Sequence, residues 1–218
     1  MIRLENLTKT FTLDGHRHVV LDNVNAEFRS GLSVALLGRN GAGKSTLLEI
    51  FAGKMAPTSG RVVSTGSISW PVGFAGSFHP ELTGAQNTRF VARIYGVDTE
   101  ELVRFVKDFA GLGPHFHLPF RTYSSGMRSR LAFGVSMGIP FDTYLVDEVT
   151  SVGDARFRVK SSAVFKERMK SAGAFVVSHS MRMVRDLCQA GAVLEGGGLT
   201  YYDDIEEAIA HHERNMLV

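Results

Sequence analysis

A glycine-rich stretch of the chain has the residue types and the spacing of a phosphate-binding loop. Its sequence, GRNGAGKS over residues 38–45, fits the pattern G-x-x-x-x-G-K-[ST]. The three glycines let the backbone turn tightly and approach a polyphosphate with its amide N–H groups pointing inward. Lys44 would bring a positive charge to the β- and γ-phosphates, and the Ser45 hydroxyl would bind Mg²⁺. The alternative is a plain glycine turn, but the complete spacing favours nucleotide binding.

Two adjacent carboxylates follow a later apolar segment. Thr143 to Val146 has the composition of a buried strand, and Asp147 and Glu148 come directly after it. A carboxylate at the end of a strand beside a phosphate loop can hold Mg²⁺ directly or through water. Glu148 would point the other way in a strand and could polarise an attacking water. Two acidic residues in a solvated turn are the alternative, which the phosphate loop makes weaker.

Two further segments carry polar groups that suit a nucleotide site. His179 follows the apolar segment Ala174 to Val177, at the carboxyl end of a predicted parallel strand, where such sheets bind ligands. A single histidine is more often structural, and position alone favours a functional role here. Ser124 and Ser125 precede Gly126 at the start of a predicted helix, which would make a second anion-binding amino terminus.

Two aromatic positions allow either a functional or a structural interpretation. Phe11 lies upstream of the phosphate loop, where it could stack on an adenine ring or pack in the core. Residues 68–78 hold the only tryptophan, Trp70, with two phenylalanines and no charged residue. This stretch is either a contact surface for a partner or an internal strand with its aromatic side chains in the core.

The elements that must position these residues alternate between strand and helix. Leu32 to Leu37 predicts a strand, and the apolar, helix-favouring residues 47–52 predict a helix directly after the loop. The amino-terminal 28 residues have the alternation and turn signals of β structure. Helical spacing of apolar residues dominates after Thr83, a predicted helix N-cap. These patterns predict an α/β fold.

Composition is typical of a globular domain and excludes several classes of protein. The chain has 218 residues, 44% hydrophobic and 21% charged, with a formal net charge of +2 and no long basic run that would indicate nucleic acid binding. Its one cysteine, Cys188, excludes a disulfide framework within the chain and favours a reducing compartment. The amino terminus lacks the apolar core of a signal peptide, and no segment has the composition of a spanning helix. We therefore expect any membrane process to involve a separate partner.

Taken together, these motifs resemble the ATP-binding subunits of ABC transporters over nearly the whole chain. Residues 38–46 match the Walker A motif, and residues 144–148 match Walker B with its catalytic glutamate. Residues 151–154 match the D-loop, His179 the H-loop, and residues 124–127 the signature motif in place and pattern. The residues that the resemblance assigns to nucleotide contact are Phe11, Gly38, Asn40, Gly41, Gly43, Lys44, Ser45, Thr46, Ser124, Ser125, Gly126 and Asp154.

The departures from the family pattern indicate a subfamily. Ser125 replaces a glycine and Met127 a glutamine of the usual L-S-G-G-Q, and no glutamine lies near Gly73, where the family's Q-loop is expected. The sequences ISWPVG, YSSGMRSRL and DEVTSVGD resemble the ATPases of bacterial capsular-polysaccharide exporters. O-antigen exporters are similar, but many carry an additional carboxyl-terminal sugar-binding domain. The length of this chain therefore favours the capsule branch.

The resemblance implies a P-loop NTPase core of the RecA-like type, with an antiparallel β subdomain and an inserted helical subdomain. We expect the core to comprise residues 1–82 and 141–218 of a single domain, and the helical subdomain residues 83–140. It also implies ATP and Mg²⁺ as ligands, with Ser45 and Asp147 on the metal and Glu148 and His179 in catalysis. The implied assembly is a head-to-tail homodimer with a transmembrane permease, peripheral to the cytoplasmic face of the bacterial inner membrane.

Two other functions remain open from sequence alone. A soluble ABC-type ATPase acting on DNA or ribosomes would usually carry two such cassettes or long coiled-coil insertions, and neither is present. A P-loop small-molecule kinase would need a substrate pocket and a lid, and would not need the serine-capped segment at residues 124–127. The sequence does not identify the exported polysaccharide, because the permease forms the path.

Overall fold

The structure, a computed structural model, describes residues 1–73, 76, 78–147 and 154–217. Among these residues it has nine strands and seven α-helices. The strands are β1 (Ile2–Leu13), β2 (His16–Phe28), β3 (Ser33–Leu37), β4 (Ser59–Ser64), β5 (Ile68–Pro71), β6 (Thr143–Asp147), β7 (Gly173–Val177), β8 (Ala190–Glu195) and β9 (Gly198–Tyr202). The helices are α1 (Lys44–Phe51), α2 (Gly84–Tyr95), α3 (Thr99–Ala110), α4 (Ser125–Gly138), α5 (Ala155–Met169), α6 (Met181–Leu187) and α7 (Ile205–Met216). Two short 3₁₀ helices, Gly113–His117 and Phe120–Thr122, connect α3 to α4.

A six-stranded sheet carries the candidate site. Its strand order is β5-β6-β7-β3-β8-β9, and every neighbouring pair is parallel except β8 and β9. The strands β3 and β7 are buried along their whole length, which explains their continuous apolar sequences. Since parallel strands end at the same edge of a sheet, the carboxyl ends of β3, β6 and β7 lie along one edge.

A three-stranded antiparallel sheet, in the order β2-β1-β4, packs with the six-stranded sheet around one apolar core. Phe28 of β2 lies with its ring 4.9 Å from that of Phe175 on β7, in an edge-to-face contact. Phe51 of α1 lies 4.6 Å from the same Phe175 ring. Aromatic pairs of this kind add to the free energy of apolar burial. They fix α1, and with it the loop that precedes α1, against the sheet.

The chain divides into two compact units. One contains Met1–Pro71, Phe141–Glu148 and Ser171–Val218, and the other contains Val72–Pro140 and Val149–Lys170. The second unit therefore groups α5 with the helices of residues 83–140. The domain boundaries expected from sequence, at residues 82 and 140, remain a prediction.

The core of the second unit is built on phenylalanines from three helices. Phe109 of α3 lies 5.7 Å from Phe133 of α4 and 5.2 Å from Phe157 of α5, measured between ring centroids. Lys160 of α5 donates to the carbonyls of Asp108 and Phe109 at 2.8 and 3.0 Å, which satisfies acceptors at the end of α3.

The aromatic stretch at residues 68–78 contains a strand. Residues 68–71 form the edge strand β5, and the half-buried Trp70 packs edge-to-face on Phe141 with ring centroids 5.4 Å apart. Val72 and Phe78 are buried, with the Phe78 ring 5.3 Å from that of Phe120. In the described part of this stretch, Trp70 and Phe78 pack against other aromatic rings, which favours the core interpretation. Phe74 lies outside the described residues. No helix in the described part of the chain is long and apolar enough to span a bilayer.

Candidate nucleotide-binding site

The phosphate loop is held between two strands by its glycines. Gly38 directly follows β3 and has φ +147°, and a Cβ added there would lie 2.5 Å from the Leu194 carbonyl oxygen of β8. Gly43 has φ +102°, and a Cβ there would lie 2.4 Å from Cγ1 of Val20 on β2. Both positions combine left-handed backbone with close packing, so only glycine fits without strain. The loop predicted from sequence is therefore a tightly confined turn between β3 and α1.

The amino terminus of α1 differs from those of the other helices in the described residues. α1 begins after Gly43 with no side-chain cap and no acidic residue in its first turn. The other six α-helices each have a side-chain oxygen that accepts a hydrogen bond from a first-turn amide. These caps are Thr83, Asp98, Ser124, Asp154, Ser180 and Asp204. No side chain caps the first turn of α1, and the helix dipole favours an anion at this terminus.

Lys44 lies across the loop that it follows. Its ammonium donates to the carbonyl oxygens of Gly38 and Arg39 at 2.7 and 2.9 Å. The amide of Ala42 donates to the same Arg39 carbonyl at 3.1 Å and closes the turn. A positive charge on a confined loop of glycines is the arrangement that binds phosphate groups of a nucleotide.

The sheet brings Asp147 and His179 to the same cavity as the loop. Asp147 is the last residue of β6 and pairs with Val177, the last residue of β7, and His179 follows two residues later. A cavity of about 240 Å³ is lined by residues from all three segments. The lining residues are Val20, Asn40, Gly41, Gly43, Lys44, Ser45, Thr46, Asp147, Val177 and His179.

His179 is presented by a turn between two serines. The amide of Ser180 donates to the Ser178 hydroxyl at 3.1 Å, and Ser180 caps α6 by accepting from the amide of Met183 at 3.3 Å. These bonds fix the backbone on both sides of His179, whose side chain is exposed at the cavity. The position expected from sequence, at the carboxyl end of β7, is where the structure places it.

The oxygen-bearing side chains of the cavity suit a magnesium ion. Ser45 and Asp147 both line it and supply a hydroxyl and a carboxylate, the hard ligands that Mg²⁺ prefers. Among the described residues no group of three His, Cys, Asp or Glu side chains could hold a metal ion. Mg²⁺ usually takes one or two protein ligands and completes its shell with water and phosphate oxygens, so the two side chains fit this ion.

Phe11 lies on β1, opposite His18 of β2. Its half-buried ring packs against the core cluster, and the Lys9 ammonium lies 5.0 Å from the ring centroid. The ring is thus part of the surface of the antiparallel sheet and contacts the core on one side. Stacking on adenine remains a prediction for this residue.

The serine-capped segment lies in the second unit. The Ser124 hydroxyl accepts from the amide of Met127 at 3.3 Å and caps α4, while Ser125 is the first residue of the helix. Ser124 and Ser125 are exposed, and a Cβ added to Gly126 would meet nothing within 4 Å. This helix terminus is therefore open to a ligand or to a second molecule.

Asp154 has a clear structural role within the second unit. It caps α5 by accepting from the amide of Phe157 at 2.9 Å, and its carboxylate lies 2.6 Å from the guanidinium of Arg130. The amide of Phe157 first, and then the charge of Arg130, lower the pKa of Asp154 below its usual value. A contact of Asp154 with nucleotide remains a prediction. Glu148, the expected catalytic carboxylate, lies outside the described residues.

Sequence reasoning missed one wall of the site. The carboxyl-terminal helix α7 places His212 at three cavities around the phosphate loop, and Asn215 and Met216 of the same helix line some of them. Burial first, and then the charge of Lys44, lower the pKa of His212. The sequence showed only an amphipathic helix here, because the contact arises from tertiary packing and no motif marks it.

Comparison with known proteins agrees with this geometry. The family model described as ABC transporter matches residues 21–151. The chain is 48% identical to the polysialic acid transport ATP-binding protein KpsT of Escherichia coli, covering 98% of this chain and 96% of that protein. It is 39% identical to the capsule polysaccharide export ATP-binding protein CtrD of Neisseria meningitidis, covering 97% and 98%. Teichoic acid and O-antigen export ATP-binding proteins are more distant relatives.

Solved structures confirm the fold that the sequence predicted. A dimeric post-hydrolysis structure of the ATP-binding cassette MJ0796, bound to ADP and Pi, superimposes with a TM-score of 0.76 at 22% identity, covering 92% of this chain and 97% of that one. The α/β architecture is thus that of an ABC ATPase cassette. With the family match spanning most of the nucleotide site and full-length relatives above 30% identity, the chain belongs to the ABC transporter family.

Proposed function

We propose that this chain is the ATP-hydrolysing subunit that powers export of a capsular polysaccharide across the bacterial inner membrane. Membership of the family and its ATP-binding relatives indicate ATP hydrolysis. The observation that carries the proposal is the single cavity that combines the phosphate loop, Asp147 and His179. The cargo is inferred from end-to-end relatives named for export of polysialic acid or capsule.

Within one subunit, each side of the cavity has a separate role. The uncapped first turn of α1 and the Lys44 ammonium would bind the β- and γ-phosphates, and His179 would contact the γ-phosphate from the end of β7. Glu148 follows Asp147 directly and would polarise the attacking water. Phe11 would stack on the adenine ring, and Asp154 would contact nucleotide.

Ser45 and Asp147 would hold Mg²⁺, in agreement with the oxygen ligands of the cavity. When bound with nucleotide, the ion neutralises charge on the β- and γ-phosphate oxygens. The protein's own contribution is to fix both ligands on rigid elements, one at the start of α1 and one at the end of β6.

A second copy of the chain would complete the site. The exposed terminus of α4, with Ser125 and Gly126, has the free hydroxyl, the amides and the open space to receive a γ-phosphate held by another subunit. ATP would bridge the closed dimer but not the open one, so it would shift the population toward closure. A permease that holds two copies close together would raise their effective concentration to roughly millimolar.

The partner and the location follow from the same proposal. The subunit would act at the cytoplasmic face of the inner membrane, bound peripherally to a transmembrane permease. Nucleic acid is not part of this proposal, since the chain has a net charge of only +2 and no long basic run. Export of O-antigen or teichoic acid is the second candidate, because proteins named for those functions are more distant relatives.

Deletion and complementation in the organism that encodes the chain test the proposal. Loss of the gene should abolish surface capsule, wild-type protein should restore it, and Lys44→Ala should not, because it removes the charge at the phosphates. The purified Lys44→Ala protein should fold normally by circular dichroism and lose at least about 90% of ATPase activity, or roughly a tenfold rate loss. Unchanged ATPase activity would refute the nucleotide site. Intact capsule with loss of O-antigen or teichoic acid would instead establish the second candidate.

A further inference from the structure

The tip of the phosphate loop carries a dipeptide with a chemistry of its own. The chain has six asparagines, and Asn40 is the one that precedes a glycine, Gly41. The backbone nitrogen of the following residue can attack an asparagine side chain and displace its amide as ammonia. Glycine permits this reaction best, because it has no Cβ in the way and allows the widest range of backbone rotation.

The structure leaves this pair open, although both ends of the loop are confined. Asn40 and Gly41 are exposed, and a Cβ added to Gly41, at φ +82°, would meet nothing within 4 Å. In the described part of the chain, neither the Gly41 amide nor the Asn40 side chain has a hydrogen bond to the protein. The bond that closes the turn, from the Ala42 amide to the Arg39 carbonyl, flanks the pair. The peptide between Asn40 and Gly41 can therefore rotate without losing a hydrogen bond of its own.

The other asparagines are less suited to the reaction. Each of them is followed by a residue with a side chain. The side-chain amides of Asn25, Asn87 and Asn215 donate hydrogen bonds to carbonyl or carboxylate oxygens. These contacts hold the side chains in place, so the six sites should differ widely in rate.

The electrostatics of the loop favour the attack as well. The Gly41 nitrogen must lose its proton, and an oxyanion forms on the side-chain carbon of Asn40. Lys44 brings its ammonium to the carbonyls of Gly38 and Arg39 within the same loop, and α1 begins at Lys44. Positive charge and a helix amino terminus stabilise both anionic species.

We propose that Asn40 deamidates spontaneously while the phosphate loop is empty, and that this modification ends nucleotide binding by the subunit. The Gly41 nitrogen forms a bond to Cγ of Asn40 and gives its proton to solvent. The bond from Cγ to Nδ2 breaks, and the amide takes up a proton and leaves as ammonia. Water then opens the resulting succinimide at either carbonyl, which leaves an aspartate or an isoaspartate at this position.

Both products oppose binding of a polyphosphate. Each places a negative charge where the loop is expected to meet phosphate groups. Isoaspartate also adds one carbon to the backbone of a loop whose ends cannot shift, since Gly38 packs on β8 and Gly43 on Val20. Bound nucleotide should prevent the reaction, because it orders the loop and occupies its amides. Only this loss of binding and this protection rest on the proposed function.

Peptide mass spectrometry of aged wild-type protein tests the proposal. Purified protein is kept at neutral pH and 37 °C with Mg²⁺, with or without a slowly hydrolysed ATP analogue. Cleavage after glutamate releases residues 28–49, in which Asn40 is the one asparagine. Without nucleotide, Asn40 should deamidate at least about tenfold faster than any other asparagine. With the analogue at about a hundred times its dissociation constant, the free fraction is about one hundredth, so the rate should fall at least tenfold.

A second dipeptide in the same samples provides a matched control. Asp14 and Gly15 form an exposed turn between β1 and β2, and an aspartate followed by glycine isomerises through the same succinimide. Among the described residues that line the cavities around the phosphate loop, Asp14 does not occur. Isoaspartate at Asp14 should therefore accumulate at the same rate with and without the analogue. Equal protection of both sites would overturn local protection by nucleotide.

A substitution links the modification to loss of binding. Asn40→Gln keeps the amide but would have to close a larger ring, so it should keep its starting affinity for the ATP analogue throughout the incubation. Wild-type protein should lose binding capacity in proportion to its deamidated fraction. Equal loss in both proteins would overturn the link, as would deamidated protein that binds the analogue as tightly as fresh protein.

The outcomes separate this proposal from the function described above. If Asn40 deamidates no faster than the other asparagines, the proposal fails and the nucleotide site stands. If fresh wild-type protein binds no nucleotide, the proposed function fails, and the rate at Asn40 without nucleotide still decides whether this is a deamidation site.

Discussion

Gly38 and Gly41 both have positive φ in the phosphate loop, but their surroundings differ. A Cβ on Gly38 would lie 2.5 Å from a backbone oxygen of β8, whereas one on Gly41 would have nothing within 4 Å. Gly41→Ala should therefore cost only backbone strain, about 1 kcal/mol of unfolding free energy, and Gly38→Ala about 3 kcal/mol or more, because strand backbone cannot move aside. Urea unfolding of both variants measures the difference. Equal costs would show that the loop can move away from β8.

At the scale of single residues, the sequence predicted those site residues that belong to one continuous motif. Gly38 to Ser45 is recognisable because strand, loop and helix follow one another in the chain. His212 could not be predicted, because it reaches the loop only through the packing of α7 on β8. Its neighbours in sequence give no sign of this contact, and His211, one residue away, is paired with Tyr202 instead.

The two serines at the start of α4 allow an experiment that separates capping from ligand binding. Ser124→Ala removes the side-chain oxygen that accepts from Met127, so it should lower the unfolding free energy by about 1 kcal/mol. Ser125→Ala should leave stability within about 0.5 kcal/mol of wild type, since this exposed residue lies within the first turn. Chemical denaturation measures both values.

The Ser125→Ala substitution also tests the role of this residue in the proposed dimer. In a Glu148→Gln background, in which hydrolysis should be blocked, ATP should convert the protein to a dimer by light scattering. Adding Ser125→Ala should weaken ATP-driven dimerisation about tenfold, the loss of one hydrogen bond to a charged group. A dimer that forms equally well would exclude the Ser125 hydroxyl from the interface with nucleotide.

At the scale of elements, helix starts were more predictable than the irregular connections. Thr83 was predicted to be an N-cap, and it accepts from a first-turn amide because its short side chain reaches this group. The segment from residue 111 to 119 has no helical periodicity in its sequence, but Gly113–His117 forms a 3₁₀ helix. Its buried Phe116 explains the difference, since one apolar anchor can order a short turn that has no periodic pattern.

At the scale of the whole molecule, the class of fold was predictable and the order of strands was not. Apolar runs alternating with helices indicate a parallel sheet, but no sequence pattern states that β3 lies between β7 and β8. That order brings His179 to the cavity that contains Lys44, although the two residues are far apart in the chain. The resemblance to a known family supplied this arrangement where residue patterns could not.

Cys188 reports on the integrity of the whole fold, because it is buried and is the only cysteine of the chain. Burial raises its pKa to about 12. In the unfolded chain a thiol has a pKa of about 8.5, so unfolding releases a proton above that pH. The resulting stability is fully present below the unfolded pKa and is lost progressively as pH rises toward the folded value.

The free energy of unfolding is therefore expected to fall at alkaline pH. Between pH 8 and pH 10 the unfolding free energy of wild-type protein should fall by about 2 kcal/mol more than that of Cys188→Ala. This difference follows from a slope of about 1.4 kcal/mol per pH unit above the pKa of the unfolded thiol. Alanine leaves a small cavity, but that cost is independent of pH and cancels when slopes are compared. Urea unfolding at several pH values gives both slopes, and tyrosines that also titrate affect the two proteins equally. Parallel slopes would mean that the thiolate is tolerated in the folded chain, and that the packing around α6 and β8 opens at high pH before the protein unfolds.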